Sequence, residues 1–139
     1  FIFLAELKIV LMTLKSSQTL ILEAMKEVKT ISPEEALKLH NENKCSLIDI
    51  RDSNELQKEG MIENSYNISR GLLEFSIHPE SAYAQREKLD LNKELVLFCA
   101  AGGRSALAAK TLKEMGFKNV SHVEGGFGLM KNKGFKIKK

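Results

Sequence analysis

The sequence predicts an α/β domain: a central, mostly parallel sheet with helices on both faces and one further helix on its N-terminal side. Three observations carry that expectation. Short apolar runs rich in strand formers, Ser46–Ile50, Leu95–Phe98 and Asn119–Val123, alternate with stretches of helical periodicity. These runs are nearly continuous in apolar character rather than alternating, as strands covered on both faces are. The joint after Phe98 is a tight loop containing Gly102 and Gly103 that leads straight into a helical pattern, the strand–loop–helix unit of parallel sheets.

From the N-terminal side, Phe1 to Leu14 are mostly apolar, but Glu6 and Lys8 interrupt a run too short to span a bilayer. No basic start or clear cleavage site marks a secretory signal. Met12 reads as the start of the native chain, with residues 1–11 an upstream extension; the alternative is an amphipathic segment covering an apolar patch. From Gln18 to Lys29, the residues Ile21, Ala24, Met25 and Val28 share one helix face, so a helix packs on the domain here. Ser32-Pro33-Glu34-Glu35 combines a Ser cap, Pro at the first helical position and Glu three residues after the cap, which starts a second helix running to about Asn41.

Ser46–Ile50 is a buried strand, and Asp52 or Ser53 caps a short helix to Lys58 that Gly60 stops. A weak strand near Tyr66–Ile68 leads into Arg70–Phe75, His78–Ser81 is a turn, and Ala82 to Leu89 reads as helix. After Leu95–Phe98, a helix from Ser105 presents Leu107, Ala108, Thr111, Leu112 and Met115 on one face, with Gly116 at its C-terminal end. Asn119–Val123 is the next strand, Gly125-Gly126 a turn, and Phe127–Asn132 the last short helix. The division is residues 1–29 as N-terminal extension and helix, 30–134 as the domain, and 135–139 as a basic tail, whose run of lysines from Lys131 to Lys139 reads as solvated.

A chain of 139 residues fits one domain and buries a core without staples. Apolar content of 43% and charged content of 28% are globular values, and a net charge of +3 is too small to imply nucleic acid. Cys45 and Cys99 form no C-x-x-C pair, which points to a reducing compartment, the cytoplasm. His40, His78 and His122 lack ligand spacing, so no metal is expected and each reads as surface or packing. No cofactor is implied; Gly125-Gly126 lacks the Lys and spacing of a phosphate-binding loop.

The chemistry concentrates at Cys99. Ligands of parallel α/β sheets sit outside the carboxyl ends of the strands, and Asp49-Ile50-Arg51 and Cys99 both fall at such ends. Gly102 and Gly103 can take positive φ, so the amides of Ala100, Ala101, Gly102, Gly103, Arg104 and Ser105 can form an anion nest opening a helix N-terminus. That setting favours a thiolate on Cys99. Arg104 is placed to hold an oxyanion or brace the loop. Asp49 and Arg51 read as a pair that pins the rim, Arg70 and Glu74 as an i, i+4 pair with Arg70 a further contact for substrate, and Cys45 as an inert thiol.

Cys99-Ala100-Ala101-Gly102-Gly103-Arg104-Ser105 resembles the C-x-x-G-x-R-S active-site loop of the rhodanese sulfurtransferases. Leu47-Ile48-Asp49-Ile50-Arg51-Asp52 is similar to that family's D-x-R segment, and Val123-Glu124-Gly125-Gly126-Phe127 to its E-G-G motif. Arg70-Gly71-Leu72-Leu73-Glu74-Phe75 is similar to a stretch of one single-domain subgroup. The likeness covers roughly Ile31 to Gly134. It departs at Gly60-Met61-Ile62-Glu63-Asn64-Ser65, where the family usually has G-H-I-P-G-A, and at Met130, where an aromatic is common.

The resemblance implies a rhodanese-like α/β fold and transfer of a sulfane sulfur. Cys99 attacks a donor such as thiosulfate or a persulfide, a cysteine persulfide forms, and a thiol, cyanide or protein acceptor collects the sulfur. A relay between protein thiols is the alternative. A thiolate phosphatase or arsenate reductase is a further one, but those enzymes carry five residues between Cys and Arg, whereas four separate Cys99 from Arg104. The narrower cradle suits one terminal sulfur better than a tetrahedral oxyanion.

Overall fold

The computed structural model describes residues 2–81 and 89–139. Its strands are β1 (Lys29–Ile31), β2 (Cys45–Asp49), β3 (Met61–Ile62), β4 (Tyr66–Asn67), β5 (Glu94–Phe98), β6 (Val120–Val123) and β7 (Ile137–Lys138). Its helices are α1 (Ile2–Thr13), α2 (Ser17–Glu27), α3 (Pro33–Asn41), α4 (Ser53–Glu59), α5 (Leu73–Ile77), α6 (Gly103–Glu114) and α7 (Gly126–Met130), with a 3-10 turn at Arg70–Leu72. Five strands form one sheet in the order β1-β6-β5-β2-β4, and every pairing in it is parallel.

The pleat sorts the apolar residues of the central strands to two faces. On one, Ile48, Ile50, Leu95, Leu97 and Val120 pack with Leu73 and Ile77 of α5 and Ala108, Ala109 and Leu112 of α6. On the other, Leu47, Val96, Phe98 and Val123 pack with Ala36 of α3 and Phe127 and Met130 of α7. The near-continuous apolar runs follow from this double burial: all five residues of β2 and all four of β6 are buried.

Local signals set the helix starts. Ser32 Oγ accepts from Glu35 N at 3.1 Å with Pro33 at the first position, and α3 ends at Asn41 as its sequence predicts. Asp52 precedes α4 and donates its own N–H to Glu55 Oε2 at 2.9 Å, and Gly60, at φ 88°, stops the helix. Gly116, at φ 102°, follows α6 in the left-handed region that favours glycine. Asn64 stands where the family usually has glycine and adopts φ 64°, a conformation asparagine tolerates.

The structure departs from the expectations in four places. The N-terminal helix stops at Glu27, and Lys29–Ile31 leave it to form edge strand β1 beside Ser121–Val123. The buried face of α6 is Ser105, Ala106, Ala108, Ala109 and Leu112, while Met115 is exposed, because α6 packs between the sheet and α2 and needs small residues on both sides. Residues 135–139 are not simply solvated: Phe135 is buried and Ile137–Lys138 pair antiparallel with Met61–Ile62. Finally, against the alternative that this segment covers an apolar patch, Phe3, Leu4, Leu7, Ile9, Val10 and Leu11 of α1 are exposed. No helix among the described residues is long and apolar enough to cross a membrane. The helix expected over 82–89 lies outside the described residues except for Leu89, which packs against the α6-side core.

Candidate active site

The register of β2 against β5 places Asp49 beside Phe98, so the chain segments leaving these strands share the carboxyl rim of the sheet. Ile50 N donates to Phe98 O and Arg70 N to Ile50 O, each at 3.0 Å, which brings Arg51 and Cys99 to the shared rim expected of them and sets Arg70 beside Ile50. Cys99 is 1% exposed, at the floor of the loop that joins β5 to α6.

The loop wraps its amides around the sulfur. Gly102 N donates to Cys99 Sγ at 3.1 Å and Ser105 N at 3.4 Å, with Ser105 Oγ 3.6 Å away. Gly102 makes this possible by taking φ 104°, which turns its N–H inward. Gly103 does not adopt positive φ; it is the first residue of α6. Its lack of a side chain serves packing instead, because a Cβ there would lie 2.8 Å from Ile21 Cδ1 of α2. Main-chain donors and the N-terminal end of a twelve-residue helix therefore converge on one sulfur, an arrangement that favours negative charge on it.

The start of α7 buttresses the loop from below. Phe127 N donates to Cys99 O at 2.7 Å and Gly128 N to Ala100 O at 3.0 Å, so orphan amides of one helix satisfy carbonyls of the loop. Contact is so close that a Cβ on Gly126, itself at φ 56°, would meet Cys99 O at 2.3 Å. The Gly125-Gly126 turn read in the sequence is thus the seat of the loop.

Of the charged residues expected here, each has a partner. Arg104 points sideways to α4, donating through Nη1 and Nη2 to Glu55 at 3.0 and 2.8 Å. These hydrogen bonds, the largest influence on both groups, hold the Glu55 carboxyl down at about 2 and raise Arg104, to which the nearby Cys99 sulfur adds. Arg104 therefore braces the loop. Arg51 is buried, donating through Nε and Nη2 to Asp49 and through Nη2 to Gly60 O at 2.9 Å, with its guanidinium 4.0 Å from the Phe127 ring centroid. Asp49 and Arg51 are thus a rim-pinning pair beneath the loop. Arg70, half-buried on the rim, pairs with Glu74 at 2.7 Å.

One residue of this neighbourhood escaped the sequence reading. His122, expected at the surface or in packing, is 1% exposed, and its Nδ1 lies 3.1 Å from Ser105 Oγ while Nε2 lies 2.8 Å from Thr30 Oγ1. Burial lowers its proton affinity, favouring the neutral imidazole. The signal available was positional: a polar residue inside an apolar strand next to the carboxyl rim. Cys45 sits at the opposite end of β2, about 13 Å of strand from Asp49, and burial, with Glu94 adding to it, pushes its thiol up to about 11. Cys45 pairs with Glu94 at the start of β5, the end of that strand remote from Cys99.

Residues 32–133 match the rhodanese-like domain model. Among curated proteins, the chain is 38% identical over 102 residues to YtwF of Bacillus subtilis, a candidate sulfurtransferase, covering 73% of this chain and 86% of that one. It is 33% identical over 105 residues to the thiosulfate sulfurtransferase GlpE of Pseudomonas savastanoi, covering 76% and 89%. Among solved structures, it resembles a Rhodopseudomonas palustris protein of unknown function described as a possible tyrosine phosphatase, at 39% identity and a TM-score of 0.78, covering 89% of this chain and 95% of that one.

Proposed function

Because the chain belongs to the rhodanese-like domain family, we propose that it is a sulfurtransferase that carries a sulfane sulfur on Cys99, from thiosulfate or a persulfide donor to a nucleophilic acceptor. The observation that carries this reading is the pair of main-chain donors, Gly102 N and Ser105 N, directed at Cys99 Sγ at 3.1 and 3.4 Å. With thiosulfate, the Cys99 thiolate attacks the outer sulfur and the sulfur–sulfur bond breaks. Sulfite leaves with the electron pair and a persulfide anion remains on Cys99. Cyanide or a thiolate then attacks the outer sulfur, and Cys99 leaves as thiolate. The catalytic residue is Cys99; Ala100, Ala101, Gly102, Gly103, Arg104 and Ser105 form the bowl, and Asp49, Arg51 and Arg70 support or border it.

The position of Arg104 supports sulfur over phosphoryl transfer. An oxyanion-binding arginine must direct its fork at the equatorial oxygens of the bound group, whereas both terminal nitrogens of Arg104 are engaged by Glu55. Two unpaired thiols, Cys45 and Cys99, suit a reducing cytoplasmic setting.

Intact-mass measurement after thiosulfate treatment tests the reading. The expected result is a gain of one sulfur atom on Cys99, removed by cyanide with formation of thiocyanate and absent from Cys99→Ser. Hydrolysis of a phosphate ester with no sulfur uptake from thiosulfate or a persulfide would reject it.

A further inference from the structure

Ser105 has one hydroxyl proton and two acceptors around it, Gly102 O at 3.2 Å and His122 Nδ1 at 3.1 Å, and Cys99 Sγ, which as a thiol donates to Oγ at 3.6 Å, becomes a third when it is ionised. Only one can receive the proton at a time. Gly102 O also accepts from Ala106 N at 3.2 Å, so it stays satisfied when the serine proton turns away. The choice then depends on His122. If its proton is on Nε2, the bare Nδ1 takes the serine proton and the sulfur gets none. If its proton is on Nδ1, the imidazole donates to Ser105 Oγ and the hydroxyl proton is free for the sulfur. Thr30 Oγ1, 2.8 Å from Nε2, can donate to that nitrogen or accept from it, and as a donor it selects the second state.

We propose that His122 is a positioning residue for the chemistry of Cys99: kept as the Nδ1–H tautomer by the Thr30 hydroxyl, it turns the Ser105 hydroxyl onto Sγ whenever that sulfur carries negative charge. The amides of Gly102 and Ser105 are fixed donors; the hydroxyl is a switchable one. In the persulfide, Sγ is bonded to the outer sulfur and uncharged, and the hydroxyl rests on Gly102 O. When an acceptor attacks the outer sulfur and the sulfur–sulfur bond breaks, Sγ takes the electron pair and the hydroxyl swings to it. That interaction strengthens in the transition state, so it speeds discharge of the persulfide rather than binding of the donor. The consequence for turnover rests on the sulfur-transfer reading; the geometry at the free thiolate does not.

Imidazole nitrogen NMR of the full chain at pH 7 reads the tautomer without any substitution. The expected state of His122 is neutral, with the proton on Nδ1. The rate of persulfide discharge to cyanide and the limiting rate of Cys99 alkylation by iodoacetamide at high pH then report the switch, in opposite senses, because discharge places charge on Sγ and alkylation removes it. Ser105→Ala and His122→Leu are each expected to slow discharge by about tenfold, a hydrogen bond to a charged group being lost, and to raise the limiting alkylation rate by about threefold, with the double variant no further from the parent than Ser105→Ala. His122→Asn, whose side-chain N–H stands close to where Nδ1–H does, should restore both rates to within about twofold. Thr30→Val, on the edge strand, should slow discharge by about threefold. An Nε2–H tautomer, unchanged rates in His122→Leu, or additive losses in the double variant would overturn the proposal. Failure of Cys99 to take up sulfur from any donor would remove the turnover reading alone, leaving the tautomer and alkylation rates to decide the role of His122.

Discussion

Arg104, the residue that closes the Cys99 loop, is held by Glu55 of α4 through two hydrogen bonds of 3.0 and 2.8 Å. A side chain that a sequence motif presents as an anion binder is here a strut between two helices. The loop is held open from its side by this pair and from below by α7, leaving main-chain amides as the donors that face Sγ.

The strut makes stability depend on pH in a defined window. Glu55 has a folded-state value of about 2, below its ordinary 4.5, so its contribution is complete above the ordinary value and is lost as pH falls toward 2. The pair is partly exposed, which limits Glu55→Gln to a cost of about 0.5–1 kcal/mol at pH 7. Denaturant titrations of parent and variant should differ by that amount at pH 7 and converge between pH 4 and 2. A difference that persists unchanged at pH 2 counts against the strut.

Arg51→Met should be far more costly. Removing the guanidinium leaves the Asp49 carboxylate, 0% exposed, without its charged partner, a loss of about 3–5 kcal/mol. Urea unfolding measures it, and a loss below about 1 kcal/mol would show that Asp49 finds other compensation.

Gly126→Ala should disturb the active loop without touching Cys99. The left-handed backbone alone costs about 1 kcal/mol or more, and the added Cβ would meet Cys99 O at 2.3 Å. The expected outcome is a folded protein with a loss of at least tenfold in persulfide formation, read by mass spectrometry against time. Gly71→Ala, with open space around the new Cβ, is the control and should leave the rate within about twofold.

Cys45 should resist alkylation in the native protein at pH 8, because its thiol is pushed up to about 11 and is 6% exposed. Peptide mapping after iodoacetamide should find it unlabelled when folded and labelled in denaturant. Cys45→Ala should leave sulfur transfer unchanged, and native labelling at the rate of a free thiol would contradict its burial.

Where a feature is set by neighbours in the chain, the sequence reveals it. Ser32-Pro33-Glu34-Glu35 fixes the start of α3, and the run Leu95–Ser105 carries strand, loop and helix with the nucleophile at the joint. Features set by distant partners are hidden. Lys29–Ile31 has too few residues to show a period and becomes a strand only beside Ser121–Val123. Ile137–Lys138 looks like part of a charged tail until Met61–Ile62 supplies the other strand. At the site, position 122 shows a histidine within a strand, but that it meets Ser105 depends on α6 crossing over β6. The direction of Arg104 is likewise invisible without the placement of α4.

Ile21 of α2 stands over Gly103, leaving 2.8 Å for any atom added there. A helix outside the catalytic motif therefore bears on what the motif can become: a side chain at residue 103 has to push aside the terminal methyl of Ile21, so the room for change in the motif is set by how freely that one rotamer on a neighbouring helix can turn.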